Sequence, residues 1–317
     1  LKAIVWSLLI LIIVVTIPAW SQQVQGTAGY GFPLDPAMGS ARAKAMGSAF
    51  VGIADDASAL WWNPAGLGQL SESQLSAHYN QWLVDTSQGS LVFATPMEKG
   101  IGLGLGINYV SLGQFENRTS AGTVTGTTGA DEWDIVGGYG AQALKNIWVG
   151  LSLQGHFENL AGFGIQAYSG SLGFLWVVQP EIKLGLSLNG IGWTSNGTAI
   201  STALRLGGSY DVNLGRDNQI LLALAGEWDD GSLGRLQFGA EDKLFKALSL
   251  RAGYQWMSTD MRLQGTSGLQ AGVGFTLQGI QLDYAIQPFG DLGTANLISL
   301  TYQFDPKPEE KGKADNL

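Results

Sequence analysis

The sequence predicts an all-β fold, a transmembrane antiparallel β-barrel of 14 strands with a small, mostly helical N-terminal plug in its lumen. Three observations carry that prediction. First, from about Glu72 the chain falls into segments near ten residues long in which apolar and small or polar residues alternate strictly. In one, Ile101, Leu103, Leu105, Ile107 and Tyr109 are interleaved with Gly102, Gly104, Gly106 and Asn108. Period-two alternation gives a strand one apolar face and one polar face. Second, the non-apolar positions are mostly Gly, Ser, Thr and Gln. The chain has 46 glycines, and only 14% of its residues are charged, against about 25% in a soluble domain. A water-facing sheet would carry Lys and Glu there. A crowded lumen takes small residues. Third, Trp82, Trp133, Trp148, Trp176, Trp193, Trp228 and Trp256 sit near segment ends, where aromatic girdles meet the membrane interface.

Composition excludes several classes. The 17 basic residues against 26 acidic ones give a net charge of −9, so no basic face for nucleic acid is expected. There is no cysteine, hence no disulfide framework and no thiolate metal site. Beyond the first segment no apolar run reaches 18 residues, which argues against membrane helices.

The elements follow in order. Residues 1–21 read as a cleaved signal peptide: Lys2, an apolar core over residues 3–17, Pro18, then small residues at Ala19 and Ser21. Residues 22–72 lack alternation and are rich in Gly, Ala and Ser. Helical stretches are expected at 37–49 and 54–60, forming a hatch inside the lumen. The barrel is expected over 73–304, with strands at 74–83, 86–96, 100–111, 131–143, 147–158, 165–178, 181–192, 202–212, 218–228, 233–243, 247–257, 267–277, 279–288 and 295–304. Connections after even strands are short and those after odd strands mostly longer, the longest at 112–130. Such asymmetry fits short periplasmic turns and long external loops. Residues 305–317 read as a polar periplasmic tail.

Strand parity also places candidate functional residues. Lys183, Arg205, Glu227, Arg235, Glu241, Arg251 and Asp283 face the lumen. Their mixed signs predict a charge network that clamps strands and hatch, since a buried charge must be paired. Asp55 and Asp56 are expected to cap a short helix, or else to bond lumen arginines. Asn63 and Pro64 are expected to end that helix. Gly102, Gly104 and Gly106 share the lumen face of the third strand, either making room for the plug or marking a wall segment that opens laterally. His78 and His156 are the only histidines. No local Ser-His-Asp pattern frames either one, so no enzymatic activity, cofactor or dedicated metal site is expected.

Two stretches carry a family resemblance. The run from Met38 through Met46-Gly47-Ser48 to Ala54-Asp55-Asp56-Ala57-Ser58 and Asn63-Pro64-Ala65-Gly66 resembles the N-terminal hatch of the FadL-like outer-membrane proteins. Asp283-Tyr284-Ala285, then Pro288-Phe289-Gly290-Asp291-Leu292-Gly293 and Ile298-Ser299-Leu300, is similar to the closing hairpin of the PorV/PorQ branch of that superfamily. The resemblance implies an outer-membrane barrel, set in lipid, with one of two jobs. PorV-like members are partners in type IX protein secretion, working with secretion-system subunits and exported cargo proteins in surface attachment. FadL-like members pass hydrophobic small molecules inward, with a lipid-like ligand in the lumen. The first job is the main expectation and the second the alternative.

Overall fold

The computed structural model describes residues 30–31, 39–83, 85–98, 100–160, 162–195, 197, 199–214, 218–229, 234–257 and 268–304. The signal segment, the polar tail and most of residues 22–38 lie outside the described residues. Among the described residues no helix is long and apolar enough to cross a membrane, and most of them lie in strands.

Those strands close on themselves into a fourteen-stranded antiparallel barrel. They are β1 Gln74–Gln81, β2 Ser87–Glu98, β3 Ile101–Arg118, β4 Val124–Leu144, β5 Ile147–Leu160, β6 Phe163–Gln179 and β7 Ile182–Thr194. The other seven are β8 Ala203–Asn213, β9 Asn218–Asp229, β10 Arg235–Leu244, β11 Leu248–Met257, β12 Leu269–Leu277, β13 Ile280–Pro288 and β14 Thr294–Gln303. Each pairs with the next, and β14 returns to β1 with Ser299 opposite His78. Closure leaves no unpaired edge, which a strand in hydrocarbon cannot tolerate. Every expected strand is present. Among the described residues, tight turns join β4 to β5, β6 to β7, β10 to β11 and β12 to β13. At β12–β13 the turn residues Gln278 and Gly279 both have positive φ, 49° and 82°, as a two-residue hairpin requires.

One expected loop is strand instead. Residues 112–130 continue the ladder: Gln114 pairs with Gly129 and Arg118 with Val124, after a register shift beyond Ser111. The turn proper covers residues 119–123. Because β2 ends opposite Ser111, this hairpin stands above its neighbour. The wall is therefore uneven. Strands β3 to β6 have 18, 21, 14 and 17 residues, whereas β12 and β13 have 9 each.

Outside, the alternation exposes Leu105, Leu153, Leu172, Phe275, Leu282 and Leu300 among many others. Burying such a side chain is worth about 1.5–3 kcal/mol, and an apolar band this continuous calls for lipid. Trp133, Trp176, Trp193 and Trp256 are exposed in that band. Trp148 is a correction. It faces the lumen, and its indole N–H donates to the Gly68 carbonyl at 3.2 Å.

Inside, residues 39–69 fill the lumen at the short-turn end. They form a helix at Ala41–Ala45, a helix at Ala59–Trp62 and a 3-10 turn at Pro64–Gln69. The expected helix at 54–60 starts later, because Asp56 bends the chain into a turn by accepting from the Ser58 N–H at 2.9 Å. The plug's Phe50, Ile53, Leu60, Trp62 and Leu67 form one apolar cluster with Val92 and Val136 of the wall.

Candidate functional site

The lumen is the candidate site, and glycine decides how its lower half is filled. Gly102 of β3 packs so that a Cβ would fall on the Leu67 carbonyl. A Cβ at Gly150 of β5 would strike Pro64 and Ala65, and one at Gly185 of β7 would strike the Val51 carbonyl. At Gly239 of β10 and Gly253 of β11 it would meet Met46 and Gly47. Plug backbone thus lies directly on wall backbone around the barrel, an approach that only glycine allows. Gly104 and Gly106 join this seat, packed against Leu60, Leu67 and Trp61. From Gly102 to Ser111, β3 pairs in unbroken register with both neighbours, so the wall is continuous along this stretch.

Side chains lock the seat. Asn63 ends the second helix and caps the 3-10 turn. Its amide donates to the carbonyls of Val51 at 2.9 Å and Phe174 at 3.0 Å, joining two plug segments to β6. Arg42 is the centre of the charge network. It reaches Asp55 at 2.6 Å and Asp56 at 3.2 Å within the plug, and Glu241 of the wall at 2.9 Å. Glu241 also accepts from Arg251, which reaches Asp283 at 2.6 Å. Asp55 and Asp56 therefore bind an arginine of the plug itself, not one of the wall, and neither caps the helix. The remaining charges form a second group: Glu227 pairs with Arg205 at 3.2 Å and with Arg235 at 2.6 Å. Arg205 also lies 5.3 Å from the Trp62 ring, a cation–π contact. Lys183 donates to Gln69 of the plug at 3.1 Å.

Burial disfavours charge on the Arg42 guanidinium, yet Asp55, Glu241 and Asp56 together hold it well above its ordinary range. Burial also raises the Asp55 carboxyl, but Arg42 and Lys183 outweigh it and bring Asp55 below its usual value. Asp56 is pushed up, by burial and by the charge of Asp55. Only one of the two aspartates is favourably charged by the clamp.

Above the plug the lining changes. A hydrogen-bonded belt crosses five adjacent strands. Gln88 donates to Asn108 at 2.8 Å, and Asn108 donates to Asp134 at 2.8 Å. Asp134 meets His156 Nδ1 at 2.5 Å, and His156 Nε2 meets Ser169 Oγ at 3.0 Å. Sequence reading singled out His156 but missed its partners, which become neighbours only through strand register. The order Asp–His–Ser has the look of a hydrolytic triad. However, Ser169 sits mid-strand, paired with Gln154 on one side and Gly192 on the other. A hydrolytic serine needs free backbone donors for an oxyanion, and the ladder occupies that position. Beside the belt, His78, Asn80 and Gln88 line a cavity of about 10 Å³, room for one water. The Nε2 of His78 and both polar atoms of the Asn80 amide have no partner there.

The closing-hairpin residues lie at the long-loop rim. Pro288 ends β13, and Gly290, Asp291 and Leu292 form a 3-10 turn. Phe289 packs edge-on against Trp82, with centroids 4.9 Å apart, tying the last hairpin to the first.

No family model matches this sequence, and no curated protein matches it. Solved structures do. The toluene transporter TbuX of Ralstonia pickettii superposes with a TM-score of 0.60 at 15% identity, over 85% of this chain and 99% of that one. The toluene transporter TodX of Pseudomonas putida gives a TM-score of 0.56 at 12% identity, over 89% of this chain and 99% of that one. The fold is that of the FadL-like barrels. A FadL homologue of Pseudomonas aeruginosa agrees, with a TM-score of 0.51 at 11% identity over 90% of this chain and 99% of that one. At such identities the fold is what is shared; membership of the PorV/PorQ branch does not follow from it.

Proposed function

We propose that this chain is an exported, outer-membrane channel of FadL-like type, without enzymatic activity, which takes small apolar molecules from outside to the plug and past it. The observation that carries this reading is the correspondence of the whole barrel to proteins described as toluene transporters and monoaromatic hydrocarbon channels. In this reading the long-loop rim faces outward, the apolar band sits in lipid, and the plug is the gate, held shut by the Arg42 ion pairs. The test is uptake of labelled toluene by cells of an outer-membrane host that lacks related channels. Expression should raise uptake above the vector control, and the clamp variant Arg42→Met should raise it further. Uptake equal to the vector control for both would overturn it.

A second reading, a PorV-type partner in type IX-like secretion or surface attachment, is favoured by two specific features. The plug is seated backbone on backbone, so the barrel has the form of a shut scaffold. The β3–β4 hairpin stands above the rim and exposes Leu112, Phe115 and Val124, a surface suited to docking. Co-purification of secretion subunits or exported proteins, together with absent toluene uptake, would support this reading over the first.

A further inference from the structure

The charges of the lumen are not balanced everywhere. Glu227, Glu241 and Asp283 are buried in the wall, and each pairs with an arginine. The exception lies above the plug on β4 and β5. Asp134 is fully buried, Glu132 is largely so, and the ion pairs of both are with His156. Among the described residues no lysine or arginine ion-pairs with either. Strand register adds a third carboxylate: Glu158 of β5 stands directly opposite Glu132 of β4. Like charges facing each other across a ladder are destabilising. A buried carboxylate needs a partner or a metal. Asp134 and Glu132 share one imidazole, a third acid stands opposite Glu132 across the ladder, and a metal cation would balance the group.

The donor geometry has the same implication. A carboxylate oxygen of Glu132, one of Asp134 and a ring nitrogen of His156 all lie within 4.8 Å of one another. His156 Nδ1 is 2.5 Å from Asp134 Oδ1 and 3.8 Å from Glu132 Oε1. Ligand atoms about 2.1 Å from a zinc ion stand about 3–3.5 Å apart, so shifts of under about 1 Å would seat an ion. The outer contacts are already in place. Ser169 Oγ meets the other ring nitrogen of His156 at 3.0 Å, which fixes the ring and leaves Nδ1 to the metal. Asn108 holds the other oxygen of Asp134 at 2.8 Å and is itself held by Gln88. Access comes from the long-loop side, where the Glu132 side chain is 17% exposed and that of Asp134 is not.

We propose that Glu132, Asp134 and His156 bind one divalent first-row metal ion in the lumen wall above the plug, with at least one coordination position turned to the lumen. One imidazole with two carboxylates suits zinc or manganese. Neither the uptake reading nor the scaffold reading is needed for this site. It also revises the expectation that two histidines without cysteine leave no metal site, because that expectation counted His and Cys and passed over carboxylates brought in by register.

The test is calorimetric titration of untagged, chelator-treated full-length protein in detergent with Zn²⁺. The barrel's heat-sensitive gel migration serves as the control for folding. One ion per chain is expected. His156→Gln and Asp134→Asn should weaken binding at least 100-fold while the barrel stays closed. Ser169→Ala, which removes only an orienting contact, should weaken it about 10- to 100-fold. Absence of saturable Zn²⁺ binding to the folded wild type would overturn the proposal. So would undiminished binding by a folded His156→Gln.

Discussion

The two halves of this lumen solve the same packing problem in opposite ways. At the short-turn end the wall offers glycines, the plug lies directly on them, and each buried acid there has an arginine, with Arg42 joined to Glu241 and Arg251 to Asp283. Above the plug the wall offers Gln, Asn, His and acids, among them the Asn80 amide and one ring nitrogen of His78 without partners, and Glu132 faces Glu158. The lower half is built to be filled by the chain itself. Both halves leave single polar atoms unmet, such as the Trp61 and Trp62 indole N–H groups of the plug, but the upper half also leaves a whole amide, Asn80, unmet and sets two acids face to face, as a place that receives something else does. Parity alone put both sets of residues on one face; the difference is in what meets them.

This contrast can be broken first at the clamp. Arg42→Met leaves Asp55, Asp56 and Glu241 facing one another with one guanidinium fewer. The expected loss is about 3–5 kcal/mol, read as a lower urea midpoint. A loss below about 1 kcal/mol would mean that the plug is held by packing alone. Next is the glycine seat. Gly185→Ala drives a Cβ into the Val51 carbonyl and should cost about 1–3 kcal/mol. Gly164→Ala, with open space around it, should cost nothing measurable by the same assay. Third, the upper half should respond weakly. In metal-free protein Glu132→Gln relieves the like charge opposite it at Glu158 but also loses the 3.8 Å ion pair with His156, so stability should change by less than about 1 kcal/mol. The smallest effect is on pH dependence. Asp55 is held below its ordinary value of 3.8. Its contribution is therefore fully present above that value and is lost as pH falls toward its lowered folded value. Asp56, being raised, works in the opposite direction. Asp55→Asn should flatten the acid limb of the stability profile, and Asp56→Asn should steepen it.

Much of the barrel was legible because one face of each strand meets lipid and the other does not, which writes a period of two into the sequence. The rule failed at residues 112–130. There the hairpin rises beyond its neighbour, both faces are exposed, and nothing selects apolar residues on either side. It failed at Trp148 for the reverse reason: position near a strand end suggested a girdle, while its parity with Gly150 put it on the plug. The charge network was readable as a set of lumen-facing residues. Its division into two groups was not, since Arg42 belongs to a segment without alternation. Asp134, Glu132 and Ser169 stayed hidden because cross-strand neighbours are 13 to 24 residues apart in sequence and are joined only by register.

A plug seated in this way seals the lower lumen and does not exchange with solvent. The chain has no cysteine, so single thiols can report on it. Ser58 in the plug is 1% exposed, and Thr123 at the tip of the β3–β4 hairpin is exposed. In intact outer membranes Thr123→Cys should react with a polar maleimide within minutes. Ser58→Cys should stay unlabelled until the barrel is unfolded, and should become reactive when Arg42→Met is added. Equal labelling of Ser58→Cys and Thr123→Cys in the folded, clamped protein would mean that the plug does not seal the lumen.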